Sequence, residues 1–172
     1  MGARCYGRGT ELGLGGHVVL VVGGTGLIGR AVVQPLRAEG AVPISAKAMV
    51  FLRVANAVLP LLVAQRGGAV VGVSGQNAFL TGNVTGSVRN AALIITAKNL
   101  ADAVAGTGVR VNTVNPGTVR EDAAAEVAVG SGGEGTPGQV ADVITFLVSP
   151  RGAGMSGEAI AVGHRVRGAS GL

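Results

Sequence analysis

The 172-residue chain has one cysteine, Cys5, one tyrosine, Tyr6, three phenylalanines and no tryptophan. A single cysteine excludes an intramolecular disulfide and any thiolate metal cage. The two histidines, His17 and His164, lie far apart with no cysteine or carboxylate cluster beside them, so the spacing of a zinc site is missing as well. No metal is expected. Lysine is nearly absent, with only Lys47 and Lys98, and arginines are scattered singly at 30, 53, 66, 89, 110 and 151. Without a basic run or a basic–aromatic stripe, nucleic-acid binding has no support. Charged residues make up only 13% against 48% hydrophobic, which excludes a disordered chain. No apolar run approaches the roughly 18–20 residues of a membrane span. The first 16 residues hold no apolar core of signal-peptide length. The expected location is therefore the cytoplasm, with no membrane partner.

What is present is glycine, 31 residues of it, and a net charge of +5. The charge suits an anionic ligand such as a pyrophosphate, or is ordinary solvated surface. The length fits a single domain with one core. Residues 1–16 are Gly- and Arg-rich without a period and predict a flexible arm; residues 17–172 form the domain.

Val18–Val22 is a β-branched run, apolar on both faces, as in a buried parallel strand. It runs into Gly23-Gly24-Thr25-Gly26-Leu27-Ile28-Gly29, then a helical stretch from Arg30 to Glu39 that contains Pro35 and ends at Gly40. Helical spacing of Ala48, Phe51, Leu52, Ala55, Val58, Leu59 and Leu62 predicts a helix over 45–65 with Ser45 as N-cap. Ala69–Val73 reads as a second strand, Ser74–Thr85 as a polar loop and 87–105 as a second long helix. Val109–Val114 is a third strand, followed by Asn115-Pro116-Gly117. Residues 119–135 read as a mobile segment. Thr136-Pro137 opens a helix that runs to Leu147, with Thr136 as N-cap, and Ala159–Val162 is a last strand. Alternating strands and helices predict an α/β domain: a Rossmann-like, doubly wound parallel sheet, shortened to about four strands with flanking helices.

The loop from Gly23 to Gly29 follows a strand and opens a helix. Glycines there let a diphosphate approach the unpaired N–H groups at the helix start, where the helix dipole is positive. The residues that would hold it are Gly23, Gly24, Thr25, Gly26, Leu27, Ile28 and Gly29. The alternative is a purely structural glycine turn.

With these segments in place, the chain resembles the short-chain dehydrogenase/reductase family over residues 18–40 and 45 to about 163. Asn56-Ala57-Val58-Leu59-Pro60-Leu61-Leu62 and Gly67-Gly68-Ala69-Val70-Val71-Gly72-Val73-Ser74 look like that family's interface helix and the strand ending at its catalytic serine. Ala91-Ala92-Leu93-Ile94 with Lys98-Asn99-Leu100-Ala101 looks like the helix after its active-site tyrosine and lysine. Val109-Arg110-Val111-Asn112-Thr113-Val114-Asn115-Pro116-Gly117 is similar to the strand and turn beside the nicotinamide. Phe146-Leu147-Val148-Ser149-Pro150 and Met155-Ser156-Gly157 resemble the segments leading into its last strand.

The resemblance implies NAD or NADP as cofactor, a small carbonyl or alcohol substrate, and Asn115, Pro116 and Gly117 as further cofactor-binding residues. It also implies departures. The glycine spacing is closer to the family's extended branch, because the main branch has its middle glycine where Leu27 stands. About two βα units are missing between Gly40 and Ser45, including the residue that reads the ribose 2′ position. Arg30 is a candidate for a 2′-phosphate contact, against its reading as surface charge. That loss would make the first strand pair directly with Ala69–Val73. The family's Tyr and Lys places fall at Gly86 and Asn90. Ser74 or the adjacent Gly75 falls at the serine place, so the substrate-orienting hydroxyl is all that could remain, and Ser74 is the one catalytic candidate. Thr85, Ser87 and Arg89 lie near the vacated place as improvised groups, against capping or surface roles.

Two functions are open at this point. One is an oxidoreductase with impaired or lost catalysis. The other is a non-catalytic nucleotide- or partner-binding module that pairs with an intact relative. Helices 45–65 and 87–105 would build a homo- or hetero-oligomer, or would only pack on the sheet.

Overall fold

The computed structural model describes residues 13–15, 18–22, 27–38, 42–46, 51–81, 84–124, 126–129 and 132–163. Its main sheet holds five parallel strands: β1 (Val18–Val22), β2 (Val42–Ala46), β3 (Gly68–Val73), β4 (Val109–Pro116) and β7 (Ala159–Val162), in the order β2-β1-β3-β4-β7. The pairing of β1 with β3, bridged at Val21 and Val71, is the direct contact expected from the shortened chain. The five strands exceed the four expected. The extra one is β2, so Ser45 lies in a strand beside Val21 and is not a helix N-cap. Pro43 hides this strand in the sequence, because proline argues against a central strand but is tolerated at an edge, where β2 lies.

Among the described residues, four helices cover the sheet: α1 (Leu27–Ala38), α2 (Phe51–Ala64), α3 (Val84–Ala103) and α4 (Pro137–Val148). On one face, Val32 and Leu36 of α1 and Val140, Ile144 and Leu147 of α4 pack on Val71, Val114 and Val162. On the other, Phe51 and Leu59 of α2 and Ala97 and Ala101 of α3 pack on Val70, Val109 and Val111. Each fully buried aliphatic side chain contributes about 1.5–3 kcal/mol by leaving water. Leu14 is fully buried in the first of these clusters, so this part of the expected arm is anchored in the core. The earlier residues of that arm, with Cys5 and Tyr6, lie outside the described residues.

Local chemistry sets the boundaries. Thr136 caps α4 with Pro137 in its first turn, as the sequence predicts, and Gln139 completes a reciprocal capping box. At the other end of α4, the Arg110 guanidinium reaches over from β4. It donates to the carbonyls of Gly152 (2.8 Å), Ser149 (3.2 Å), Val148 (3.4 Å) and Leu147. A cation there satisfies carbonyls that a helix end leaves unpaired and complements its dipole. Burial pulls the Arg110 pKa below its ordinary value. Asn112 ties the following loop to β4 through Met155 O (2.8 Å) and Glu158 N (3.0 Å).

The expected mobile segment 119–135 is closed at its base by a two-stranded parallel ribbon, β5 (Thr118–Val119) with β6 (Glu134–Gly135). Arg120 donates its backbone N–H to Gly135 O at 2.9 Å, and its side chain lies 3.2 Å from Asp122 and 3.6 Å from Glu134. The hydrogen bond from Arg120 holds the Asp122 carboxyl below its usual range. Among the described residues, no helix is long and apolar enough to cross a membrane.

The role of Arg110 is testable by replacing it with Met, which keeps the apolar stem and removes the donors. Arg110→Met should lower unfolding stability by about 2 kcal/mol, the scale of charge-assisted hydrogen bonds lost at a half-buried site. Urea denaturation read by circular dichroism measures it.

Candidate active site

In an open parallel sheet, ligands bind beyond the carboxyl ends of the strands, where the strand order reverses. Here the order runs from β1 outward to β2 on one side and to β3 on the other, so the reversal lies at β1 and β3. Three segments converge at that rim: the first turn of α1, the loop after β3, and the end of β4 with the N-terminal half of α3.

The loop after β3 is held by its polar residues. Ser74 N continues the ladder to Val114 O at 2.9 Å, and Ser74 Oγ donates to Asn90 O of α3 at 3.0 Å. Asn90 Nδ2 in turn donates to Asn77 Oδ1, in the one-turn 3-10 helix Gln76–Phe79. Ser87 Oγ donates to Leu80 O at 2.9 Å, closing the same loop one turn earlier. Gly75 sits in the middle. A Cβ there would come within 3.0 Å of Asn77 Oδ1, 3.2 Å of Asn90 Nδ2 and 3.7 Å of Pro116 O. The Ser74–Gly75 segment, Asn77, Asn90 and the end of β4 are thus brought to one place.

Asn115 lies beside them. It is fully buried, and neither Nδ2 nor Oδ1 has a hydrogen-bond partner among the described residues. An unsatisfied buried amide costs about 1–3 kcal/mol. Pro116 is buried, and Gly117 N reaches Val162 O at 3.4 Å.

Of the expected phosphate-loop residues, Gly23, Gly24, Thr25 and Gly26 lie outside the described residues. Leu27, Ile28 and Gly29 form the first turn of α1, where Gly29 is buried and Ile28 packs on the core. That helix starts three residues earlier than the sequence reading placed it. Leu27, Arg30, Ala31 and Gln34 of α1 face Glu121, Thr136, Pro137 and Gly138 across an open groove of about 890 Å³. Arg30 therefore lies along a groove next to the expected phosphate site, facing a carboxylate.

The sequence reading missed two of these residues. Asn77 fixes Asn90, but nothing in Gly75-Gln76-Asn77 marks a contact made 13 positions away. Glu121 lies in the groove although it comes from the segment read as mobile.

Gly86, at the Tyr place, is buried in α3 and contributes no side chain; Asn90, at the Lys place, is neutral and half-buried. Arg89 is exposed and Ser87 is engaged with Leu80 O. The side chains gathered around Ser74 are thus amides and hydroxyls. They can orient a polar ligand, but none titrates near neutrality to supply or accept a proton. Among the described residues, no group of three His, Cys, Asp or Glu could hold a metal.

The chain is similar to known proteins in a consistent way. A profile described as enoyl-(acyl carrier protein) reductase matches residues 37–164. The 3-oxoacyl-(acyl-carrier-protein) reductase of Vibrio harveyi is 31% identical over 122 residues, covering 64% of this chain and 50% of that protein. The chain thus spans about half the length of this curated relative. Among solved structures, the ligand-free aldohexose dehydrogenase of Thermoplasma acidophilum superposes with a TM-score of 0.70 at 18% identity, covering 87% of this chain and 93% of that one. A protein of Beutenbergia cavernae, described as an NAD(P)-dependent gluconate 5-dehydrogenase with NADP bound at low occupancy, gives 0.72 at 16% identity, covering 88% and 97%. At these identities the structural likeness establishes the fold alone.

The crowding at Gly75 gives a test of the rim. Gly75→Ala must push Asn77 and Asn90 apart and should cost about 1 kcal/mol, the scale of one hydrogen bond. Gly67→Ala, whose Cβ meets no atom within 4 Å, is the control and should change stability little. Paired denaturant melts of the two variants decide it.

Proposed function

Since the chain belongs to the short-chain dehydrogenase/reductase family, we propose that it binds a nicotinamide dinucleotide, NAD or NADP, but is impaired in that family's carbonyl or alcohol chemistry or has lost it. The observation that carries this reading is the pair Gly86 and Asn90 at the places where the family puts its proton-transferring Tyr and its Lys. Asn90 is occupied in an amide pair with Asn77, and its backbone carbonyl accepts from Ser74.

The residues present suit the dinucleotide. The first turn of α1 begins at the sheet's switch point, where a diphosphate is favoured by the helix dipole. Asn115 keeps an unclaimed buried amide next to Ser74 at the same rim. Gly23–Gly29 would hold the diphosphate, and Asn115–Gly117 would lie by the nicotinamide. When bound, the nicotinamide supplies or accepts a hydride. Among the described residues at this rim there is no partner for the proton that must accompany it. Ser74 offers a hydroxyl to orient a carbonyl oxygen, but its own hydrogen is committed to Asn90 O. General acid–base catalysis contributes about 10²–10⁴-fold, so its loss leaves slow turnover at best.

A second reading, a partner-binding module, is favoured by one observation. Leu52 and Leu61 of α2 and Val84, Val88 and Ile95 of α3 are exposed, with Val84 at 78%. Apolar side chains on two helices of the same sheet face support pairing with a second copy or with an intact relative. The two readings are compatible, because a dinucleotide site without chemistry still stabilises the fold on which such a surface depends.

The purified chain should melt at a higher temperature in saturating NADPH or NADH, while oxidising neither above background with a panel of ketones. The double variant Gly86→Tyr/Asn90→Lys should raise carbonyl reduction by about 10²–10⁴-fold over the parent. A parent that reduces ketones briskly sinks the loss of chemistry; a melt unmoved by either cofactor sinks the binding.

A further inference from the structure

The five strands are not joined equally. β3 and β4 share six residue pairs in register, β1 and β2 share five, and β4 and β7 share four. Between β1 and β3 there is one, Val21 with Val71. A parallel ladder gains its hydrogen bonds from consecutive pairs, so the sheet is thinnest at this seam. β2 lies at the edge and meets the sheet only through β1. The seam therefore divides the molecule into a unit, β1–α1–β2, and a body that holds the other three strands of the main sheet.

The unit meets the body chiefly through one helix face. Val32 and Leu36 of α1 pack with Val140, Ile144 and Leu147 of α4. Nearer its start the same helix is open, where Leu27, Arg30, Ala31 and Gln34 face Glu121, Thr136, Pro137 and Gly138 across the groove of about 890 Å³. Pro35 also removes one of the backbone hydrogen bonds within α1. Parts of a protein with fewer buried contacts open at lower free energy than its core, and do so as cooperative units. The body has what the unit lacks. It holds the full β3–β4 ladder and a second cluster, with Phe51, Leu59, Val70 and Val111, that the unit does not enter.

We propose that β1, α1 and β2 open and close as one unit against the body, and that a bound dinucleotide ties the two together. The opening follows from the packing alone. The tie rests on the dinucleotide reading above, in which Gly23–Gly29 belongs to the unit and Asn115–Gly117 to the body. A ligand that needs both segments binds only the closed form and draws the molecule toward it.

Native-state hydrogen exchange on the whole chain, followed amide by amide by NMR, tests this. In the ligand-free parent, amides of β1, α1 and β2 should exchange about tenfold faster, or more, than those of β3 and β4, and should share one opening free energy. Their exchange should also depend less on urea, because opening the unit exposes less surface than unfolding the whole. Leu59→Ala alters only the body's second cluster. It should speed exchange in β3 and β4 by about thirtyfold or more. The unit's amides should stay unchanged, since their opening leaves residue 59 packed. Equal exchange on both sides of the seam in the parent, with one urea slope, overturns the proposal, and this arm needs no variant to fold. So do unit amides that open at unrelated energies, or that quicken in step with β3 and β4 in Leu59→Ala. Saturating NADPH, or NADH where that binds better, should slow the unit's amides by about tenfold or more. If titration calorimetry shows the dinucleotide bound while the unit exchanges as before, the tie fails and the opening stands. If calorimetry shows no binding, the dinucleotide reading falls and takes the tie with it, while the ligand-free exchange still decides the opening.

Discussion

The pairing of β3 with β4 is the contact on which the rest of the molecule depends. Six consecutive residue pairs, from Gly68 with Val109 to Val73 with Val114, fix these strands in register. Both helix layers rest on them: Val71 and Val114 meet α1 and α4, while Val70, Val109 and Val111 meet α2 and α3. The same strands carry Ser74 and Asn115 to the rim. β4 is buried along nearly its whole length, and two of its polar side chains are spent on neighbouring loops. Arg110 closes the end of α4 and Asn112 closes the loop before β7. A sheet without its usual central strands still holds because this pair is complete and β1 docks directly beside β3.

Much of this was legible in the sequence, and where it was not the cause is physical. β1, β3 and β7 are short apolar runs bounded by glycine or polar residues, which is how buried parallel strands read, while β4 carries polar residues between its valines. The start of α4 is visible because Thr136 stands directly before Pro137, while the part played by Gln139 was not read. β2 was hidden by Pro43 and by the apolar helical series that follows it, so Ser45 looked like the start of a helix. Leu14 stands alone among glycines, and its burial depends on a pocket assembled from distant elements. The ribbon of Thr118–Val119 with Glu134–Gly135 is too short to leave a period. At the site, the identities of Gly86 and Asn90 are plain in the sequence, but not their surroundings. The engagement of Asn90 with Asn77, and the orphaning of Asn115, arise only when separate segments meet.

Asn90 does two things at the rim. Its side chain donates to Asn77 and its backbone carbonyl accepts from Ser74, so it holds the β3–α3 loop without a charge. A lysine at this position would release Asn77 from its partner.

At the opposite rim, Arg66 adopts φ 54 and Gly108 adopts φ 85, and a Cβ on Gly108 would lie 2.5 Å from Arg66 O. These two turns set the heights at which β3 and β4 begin. Because faces alternate along a strand, a one-residue slip of β4 against β3 would rotate Asn115 away from α3 and onto the side of α4. The tight meeting of Arg66 and Gly108 at the far end stands against that slippage.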